Sequence, residues 1–344
     1  MSVAASSLGR VLDPEIQAIV GMIEAAPGPP AHLVPIAQAR AAHDRESALL
    51  SGAGEEVAEV RELDAPGPAG PIRVRAFRPL EERAAPGADV GAPDRPGAGL
   101  PLVAYLHGGG WAVGTLDAFD PLCRALANAS GGLVASIDYR LAPEHPFPAA
   151  LDDALAAVRW LAAHAGELGA DPARVAVAGD SAGANLATVA ARRLRDERSG
   201  DEAAGRGRGG PALRLQALIY PVCDSALDSP SYRDFDSGFG LSAASMKRYW
   251  ELYLDGADGR HPDASPLRAG DLAGLPPSFV LTVGNDVLRD EGEAYAQALR
   301  DAGVPVTLRR YDEAVHGFVR WLAKAAIARR AVAETGAALR AALG

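Results

Sequence analysis

The chain has 344 residues, a length that suits two domains or one large α/β domain with an accessory segment. Lys and Arg total 34 against 44 Asp and Glu, giving a net charge of −10, which disfavours binding to nucleic acid or to an anionic membrane surface. Hydrophobic residues make up 48% and charged residues 23% of the chain, which excludes disorder and fibrous repeats and predicts a soluble globular protein.

The first 50 residues are predicted to be helical. Asp13 can cap a helix that begins at Pro14. Four apolar residues then share one face at helical spacing: Ile16, Ile19, Val20 and Ile23. The PGPP sequence at 27–30 should end this helix, and a second helix is predicted over about 33–50.

A hairpin is predicted next. The segments EVAEVREL (56–63) and IRVRAFRP (72–79) flank the turn-rich sequence APGPAG, so the chain should enter the main sheet antiparallel. Two stretches rich in Gly, Pro, Ala and charge, residues 81–99 and 197–211, are predicted to be mobile surface loops.

From residue 100 onward, short β-branched runs alternate with amphipathic helical stretches. The runs are PLVAYLHG, GLVASIDYR, RVAVAGD, LRLQALIYP, SFVLTVGND and VTLRRYDE. This alternation predicts an α/β fold with a mainly parallel central sheet flanked by helices. In such sheets the loops after the carboxyl ends of the strands carry the site.

One of these loops is a candidate nucleophile elbow. The run RVAVAGD leads into a helix through GDSAG, in which Gly179, Ser181 and Gly183 form G-x-S-x-G with Asp180 before the serine. A sharp turn of this kind projects the serine hydroxyl into the cleft. The N-terminus of the following helix can stabilise negative charge that develops there.

A second loop is a candidate oxyanion hole. The sequence HGGGW (107–111) directly follows the run PLVAYL. Consecutive glycines let backbone N–H groups turn toward a ligand, whereas the alternative is a plain glycine turn. Because the loop precedes the elbow in the same chain, we favour the oxyanion hole. His107 is expected to order the loop through hydrogen bonds rather than to act as a base.

The remaining candidates complete the order Ser181, Asp286, His316, which is the order expected of an α/β-hydrolase. His316 follows the last predicted strand. The other histidines lie in predicted helices or other loops: His32, His43, His107, His145, His164 and His261.

Asp286 is the preferred acid because it sits immediately beyond its strand, whereas Asp290 and Glu291 lie a turn into the next helix. Asp224 remains the alternative, since it also ends a strand between the serine and the histidine.

The chain resembles the hormone-sensitive-lipase-like esterases, the bacterial family IV of the α/β-hydrolase superfamily. The resemblance covers about residues 55–344. It rests on HGGGW (107–111), DYRLAPEHPFPAALDD (138–153), GDSAGAN (179–185), DVLRDEG (286–292) and HGF (316–318). It implies a serine carboxylesterase in which residues 51–344 form the catalytic domain. It also implies a helical cap built from residues 1–50 and an insertion at about 225–262.

The same resemblance implies the oxyanion donors. They are the backbone N–H groups of Gly109, Gly110 and Ala182, with Gly108 as a further candidate. Val287 is a departure, because the family commonly has proline after the acid, although the carboxylate is retained.

The predicted cap insertion carries an aromatic stripe at helical spacing: Met246, Tyr249, Trp250 and Tyr253. It is predicted either to face the core or to form a wall of the substrate pocket. Both cap segments also carry many charges, which argues against a broad lipid-docking face.

The predicted function is hydrolysis of short- to medium-chain carboxylic esters through an acyl-enzyme on Ser181, with no metal and no organic cofactor. An amidase, or a deacetylase of an acylated small metabolite, is the alternative. A non-catalytic ligand-binding protein on the same fold would require loss of a triad member, and all three are present.

The expected partner is a small ester, without nucleic acid and without stable membrane association. A homodimer is compatible with the sequence. A cytoplasmic location is expected, because no secretion signal and no run of 18 apolar residues is found. Cys123 and Cys223 are too few for a disulfide framework and are expected to be small buried hydrophobes.

Overall fold

The computed structural model describes residues 11–25, 29, 31–81, 99–203 and 210–344. Within these residues the chain forms eight strands. They are β1 (Glu59–Gly67), β2 (Gly70–Arg78), β3 (Leu100–Leu106), β4 (Leu133–Ile137), β5 (Ala170–Asp180), β6 (Leu213–Ile219), β7 (Ser278–Asn285) and β8 (Val306–Val315).

The same residues form nine α-helices. They are α1 (Pro14–Ala25), α2 (Ile36–Ser51), α3 (Leu116–Ser130), α4 (Ala149–Ala163), α5 (Ala182–Ala203), α6 (Pro230–Asp234), α7 (Ala243–Leu254), α8 (Arg289–Asp301) and α9 (Ala326–Leu343). None of the helices in the described part of the chain is both long enough and apolar enough to cross a membrane.

All eight strands of the described residues belong to one sheet, in the order β1-β2-β4-β3-β5-β6-β7-β8. The strands from β3 to β8 run parallel, while β1 pairs antiparallel with β2 and β2 with β4. The predicted α/β class and the antiparallel start of the sheet are therefore confirmed. Strands β3, β4 and β7 are buried along their whole length, as expected where helices cover both faces of a parallel sheet.

The helices divide between the two faces of this sheet. Buried side chains of α1, α3 and α9 pack against one face. Those of α4, α5, α7 and α8 belong to the core on the other face. Both cysteines are buried with free thiols, as predicted.

Some boundaries differ from the sequence-based predictions. Asp13 caps α1 as expected, its Oδ1 accepting from the N–H groups of Glu15 and Ile16. The second helix begins at Ile36, because residues 31–33 form a separate 3₁₀ turn and Pro35 precedes the helix. The hairpin strands extend to a two-residue turn, since Gly67 pairs with Gly70.

The prediction of a loop from residue 197 is wrong for its first part. Helix α5 continues to Ala203, and Arg159 of α4 forms an ion pair with Glu197 on that helix. Charged residues such as Arg and Glu are good helix formers, and here they outweigh the glycine in the segment. Most of the first predicted loop, at residues 81–99, lies outside the described residues. Residues 204–209 of the second predicted loop also lie outside them.

Candidate active site

Ser181 occupies a tight turn between a strand and a helix. Strand β5 ends at Asp180 and helix α5 begins at Ala182. The serine has φ of +55°, a left-handed conformation that a non-glycine residue adopts only when its surroundings impose it. Its N–H donates to the Ile219 carbonyl at 2.8 Å, which fixes the turn against β6. A Cβ at Gly183 would collide with the backbone of Leu106, so this position needs glycine.

The structure brings Ser181, His316 and Asp286 together. Asp286 directly follows β7 and His316 directly follows β8. Nε2 of His316 lies 3.0 Å from Ser181 Oγ, and its Nδ1 lies 2.7 Å from Asp286 Oδ2. Because a carboxylate only accepts hydrogen bonds, the proton belongs on Nδ1, which leaves Nε2 free to accept the serine proton.

The alternative acids are occupied elsewhere. Asp224 Oδ1 accepts from Arg268 Nε at 2.7 Å. Asp290 Oδ2 accepts from the N–H of Ser231 at 2.8 Å, and Glu291 Oε1 accepts from the N–H of Cys223 at 2.6 Å. Of the four carboxylates considered, the structure places Asp286 against the histidine.

Two residues of the glycine loop have a left-handed backbone conformation. Gly109 and Gly110 have φ of +115° and +57°. Within the described residues, the N–H groups of Gly109, Gly110 and Ala182 have no protein acceptor. Gly108 differs, because its N–H donates to Asp180 Oδ1 at 2.8 Å. The prediction that Gly108 is a further oxyanion donor is therefore wrong, because its N–H already donates to Asp180.

The buried side chain of His107 contacts the glycine loop. Its Nδ1 donates to the Gly108 carbonyl at 2.8 Å, and its ring stacks on Tyr139 with centroids 4.4 Å apart. Complete burial lowers the pKa of His107 to about 4. The side chain is therefore neutral near pH 7, with its proton on Nδ1, where it donates to the Gly108 carbonyl.

Asp180 has a role that the sequence analysis did not assign. Besides the Gly108 amide, its Oδ1 accepts from the Tyr105 hydroxyl at 2.7 Å. Burial raises the pKa of Asp180 above its ordinary value. This carboxyl group ties the residue before the serine to the first glycine of the glycine loop. Its position inside G-x-S-x-G was the available signal.

The aromatic stripe of α7 is divided between the two predicted roles. Met246, Trp250 and Tyr253 are buried, and Tyr253 stacks on Trp111 with centroids 4.1 Å apart. Tyr249 is half-buried, and its ring lies directly against Gly110. One face of the helix thus packs into the core while Tyr249 covers the glycine loop.

Comparison with known proteins identifies the family. Residues 103–320 match the model of a protein family whose members have the α/β-hydrolase fold. The chain belongs to this family. Carboxylic ester hydrolase LipN of Mycobacterium tuberculosis is 43% identical to this α/β-hydrolase over 76% of the chain, a match that spans 64% of the length of LipN. Ethyl acetate hydrolase of Pseudomonas putida is 37% identical over 90% of the chain and 92% of that protein.

A solved structure agrees with this assignment. An ester hydrolase from the metagenome of Lake Arreo, in complex with a bipyridine phosphonate derivative, matches this α/β-hydrolase with a TM-score of 0.85 and 41% identity. The match covers 96% of the chain and 99% of that protein. The predicted family, and with it the predicted class of carboxylic ester hydrolases, is confirmed. Among the described residues, no group of three or more His, Cys, Asp or Glu side chains could hold a metal ion.

Glu291 leads to a prediction about pH and stability. Burial raises its pKa from 4.5 to about 8. Between these values the unfolded chain loses the proton that the folded protein keeps, so this group's contribution to stability falls as pH rises. We expect Glu291→Gln to become more stable relative to the wild type between about pH 5 and about pH 8.

The measurement is the free energy of unfolding in urea at several pH values. Glu293→Gln on the same helix is the control for the loss of a carboxylate from α8. If the difference in free energy of unfolding between Glu291→Gln and the wild type stays constant across this pH range, the raised pKa of Glu291 is contradicted.

Proposed function

We propose that this protein is a serine carboxylesterase in which Ser181 is the nucleophile, His316 the general base and Asp286 the residue that orients the histidine. The observation that carries the proposal is the continuous contact from Ser181 Oγ through His316 to Asp286, with distances of 3.0 and 2.7 Å. These distances are within hydrogen-bond reach for nucleophile and base.

The first half of the reaction forms an acyl-enzyme. His316 Nε2 takes the proton from Ser181 as Oγ attacks the ester carbonyl, and Asp286 stabilises the imidazolium. The amides of Gly109, Gly110 and Ala182 receive the negative oxygen of the tetrahedral intermediate. The intermediate collapses as His316 protonates the leaving alcohol, which departs and leaves the acyl group on Ser181.

The second half returns the free enzyme. His316 takes a proton from water as the water oxygen attacks the acyl carbonyl, and the same amides hold the new oxyanion. The proton then returns from His316 to Ser181 Oγ as the carboxylic acid leaves. The complete reaction consumes one ester molecule and one water molecule.

The most direct test is covalent labelling of the wild-type protein with a fluorophosphonate probe. We expect Ser181 to be the labelled residue, because His316 Nε2 lies 3.0 Å from its hydroxyl and can take its proton. A protein that is not labelled and hydrolyses no p-nitrophenyl ester would refute the proposal. Comparison of matched ester and anilide substrates separates the esterase from the amidase alternative, and we expect the ester to react faster.

We further propose short- to medium-chain esters as substrates. The relative named ethyl acetate hydrolase, covered over 92% of its length, supports this class. So does the ring of Tyr249 against Gly110, because an aromatic side chain there restricts the space above the candidate oxyanion donors. The helical cap, built from residues 1–50 and about 225–262, is part of this proposal.

The substrate proposal predicts a maximum of kcat/KM at short chains. We expect p-nitrophenyl acetate or butyrate to exceed octanoate, and octanoate to exceed palmitate. Tributyrin should show no sharp rise in rate above its solubility limit, because charged residues such as Arg45 and Arg248 are too frequent in both proposed cap segments for a lipid-docking face. A maximum at palmitate, or activation when the emulsion forms, would favour a lipase instead.

The cytoplasmic location and the homodimer stay predictions. A short-chain ester is a soluble small molecule, which suits a protein that meets its substrate in water. Sedimentation at several protein concentrations measures the oligomeric state directly.

A further inference from the structure

Arg40 of α2 reaches from the N-terminal segment to the glycine loop. Its Nε donates to the carbonyl of Ala112 at 2.8 Å, and its Nη2 donates to the carbonyl of Ala142 at 3.0 Å. These residues are 72 and 102 positions away in the sequence. One side chain therefore joins α2 to the two separate segments that contain Ala112 and Ala142.

The Ala112 carbonyl begins a chain of hydrogen-bonded peptide groups. A peptide group is planar, so this carbonyl and the N–H of Val113 belong to one rigid unit. That N–H donates to the carbonyl of Gly109 at 3.0 Å, and the N–H of Ala112 donates to the same carbonyl at 3.1 Å. The Gly109 carbonyl in turn shares its peptide plane with the N–H of Gly110, which is one of the candidate oxyanion donors.

Arg40 thus stands at the start of a relay with two peptide groups. Its guanidinium donates to the first carbonyl, the first N–H donates to the second carbonyl, and the second N–H is that of Gly110. Each bond orients the next peptide plane. A charged donor at the start also polarises the chain, because hydrogen bonds in series strengthen one another.

The rest of the side chain holds the guanidinium in place. Nη1 and Nη2 of Arg40 bind the two carboxylate oxygens of Glu144 at 2.8 and 2.6 Å, which lowers the pKa of Glu144 to about 2. The planar fork matches a carboxylate and two carbonyls at once, which the single ammonium group of lysine cannot do. Glu144 itself is half-exposed, so water screens the ion pair.

Helix α2 has further anchors that do not involve Arg40. Arg320 Nη1 donates to Ser47 Oγ at 2.7 Å, and the N–H of Ala323 donates to the Leu50 carbonyl at 3.1 Å. Ser47 and Leu50 are both buried. The helix is therefore expected to stay docked when Arg40 is replaced.

We propose that Arg40 is a positioning residue that orients and polarises the Gly110 N–H through the peptide groups 112–113 and 109–110. The proposal rests on the proposed esterase function. It makes α2 part of the machinery that stabilises the transition state.

The test compares Arg40→Met with Arg45→Met, since Arg45 is exposed on the same helix. We expect Arg40→Met to lower kcat for p-nitrophenyl butyrate by at least about tenfold. The loss should be smaller than the roughly 10²- to 10³-fold loss that follows removal of a whole oxyanion donor. KM should change by no more than about twofold, because the oxyanion forms only in the transition state. Arg45→Met should retain wild-type kcat and KM.

A second readout separates positioning from a general structural defect. An alkyl trifluoromethyl ketone forms a tetrahedral adduct whose oxyanion needs the same amides. Its Ki for Arg40→Met should rise by the same factor by which kcat/KM falls.

Several results would overturn the proposal. They are an Arg40→Met variant with the kcat of Arg45→Met, a loss of kcat with unchanged Ki, or an effect confined to KM. Should Arg40→Met fail to fold, Arg40→Ala replaces it, because alanine also removes the donor to the Ala112 carbonyl and favours the helix. Wild-type kcat in that variant would equally overturn the relay. An inactive and unlabelled wild type would instead refute the proposed esterase function.

Discussion

Replacing Ser181 by alanine is expected to lower kcat by about 10⁶ while the protein stays folded, because nucleophile and base act as a unit. His316 Nε2 has only the serine oxygen to activate, and without Oγ no acyl-enzyme forms. Alanine keeps the Cβ of serine, so the turn with φ of +55° meets no new contact. The rate that remains reflects the amides of the oxyanion hole acting on water.

The measurement is kcat for p-nitrophenyl butyrate, together with a thermal melt and fluorophosphonate labelling of each variant. Ser199→Ala, an exposed serine on the helix that begins after Ser181, is the matched control and should behave as the wild type. Activity of Ser181→Ala above a few per cent of wild type, in a preparation free of contaminating esterase, would show that another residue is the nucleophile.

The sequence predicted the positions that lie directly after strands. Ser181, Asp286 and His316 each directly follow a strand, and the β-branched runs that form these strands can be recognised from local composition. Parallel strands present their carboxyl ends at one edge of a sheet, so neighbouring strands bring these residues together without further information. The hairpin, the parallel sheet and the cap of α1 by Asp13 were predictable for similar local reasons.

Contacts between distant segments were not predictable in this way. The Gly108 amide is used by Asp180, which is 72 residues away. Nothing in HGGGW distinguishes this amide from the next two, because the difference arises from which side chain lies beneath it. The end of α5 was missed for another reason, since a pattern of charge and glycine describes an exposed helix as well as a loop.

The contacts of Arg40 belong to the same class. In the sequence this residue is one charge among several in a predicted helix, and no motif distinguishes it from the others. Its partners at Ala112, Ala142 and Glu144 become visible only when α2 is placed against the loops. A functional role for the N-terminal segment thus depends on tertiary structure.

Replacing Asp286 by asparagine is expected to lower kcat by roughly 10⁴, the second-largest effect, while Asp224→Asn should change it by less than about threefold. Asparagine fills the same volume and can still accept from the N–H of Leu288, which Asp286 Oδ1 binds at 2.9 Å. It has no second oxygen for the 2.7 Å contact with His316 Nδ1. If its NH₂ group faces the ring, Nδ1 must accept and the proton moves to Nε2, where it blocks transfer from Ser181.

Asp224 provides a sharp comparison with Asp286, because both carboxylates have a basic partner. The prediction that Asp224 ends a strand is wrong, since β6 stops at Ile219 and Asp224 lies in the loop that follows. The partner of Asp224 is Arg268 at 2.7 Å, and both side chains are partly exposed. Losing an exposed ion pair costs about 0–1 kcal/mol of stability, whereas a 10⁴ loss of rate corresponds to about 5.5 kcal/mol of transition-state stabilisation. The two variants, measured for kcat and for unfolding in urea, should therefore separate: Asp286→Asn loses rate, and Asp224→Asn loses a little stability. The opposite ranking of kcat would assign the acid to Asp224 and would require His316 to turn away from the oxygen it contacts in the structure.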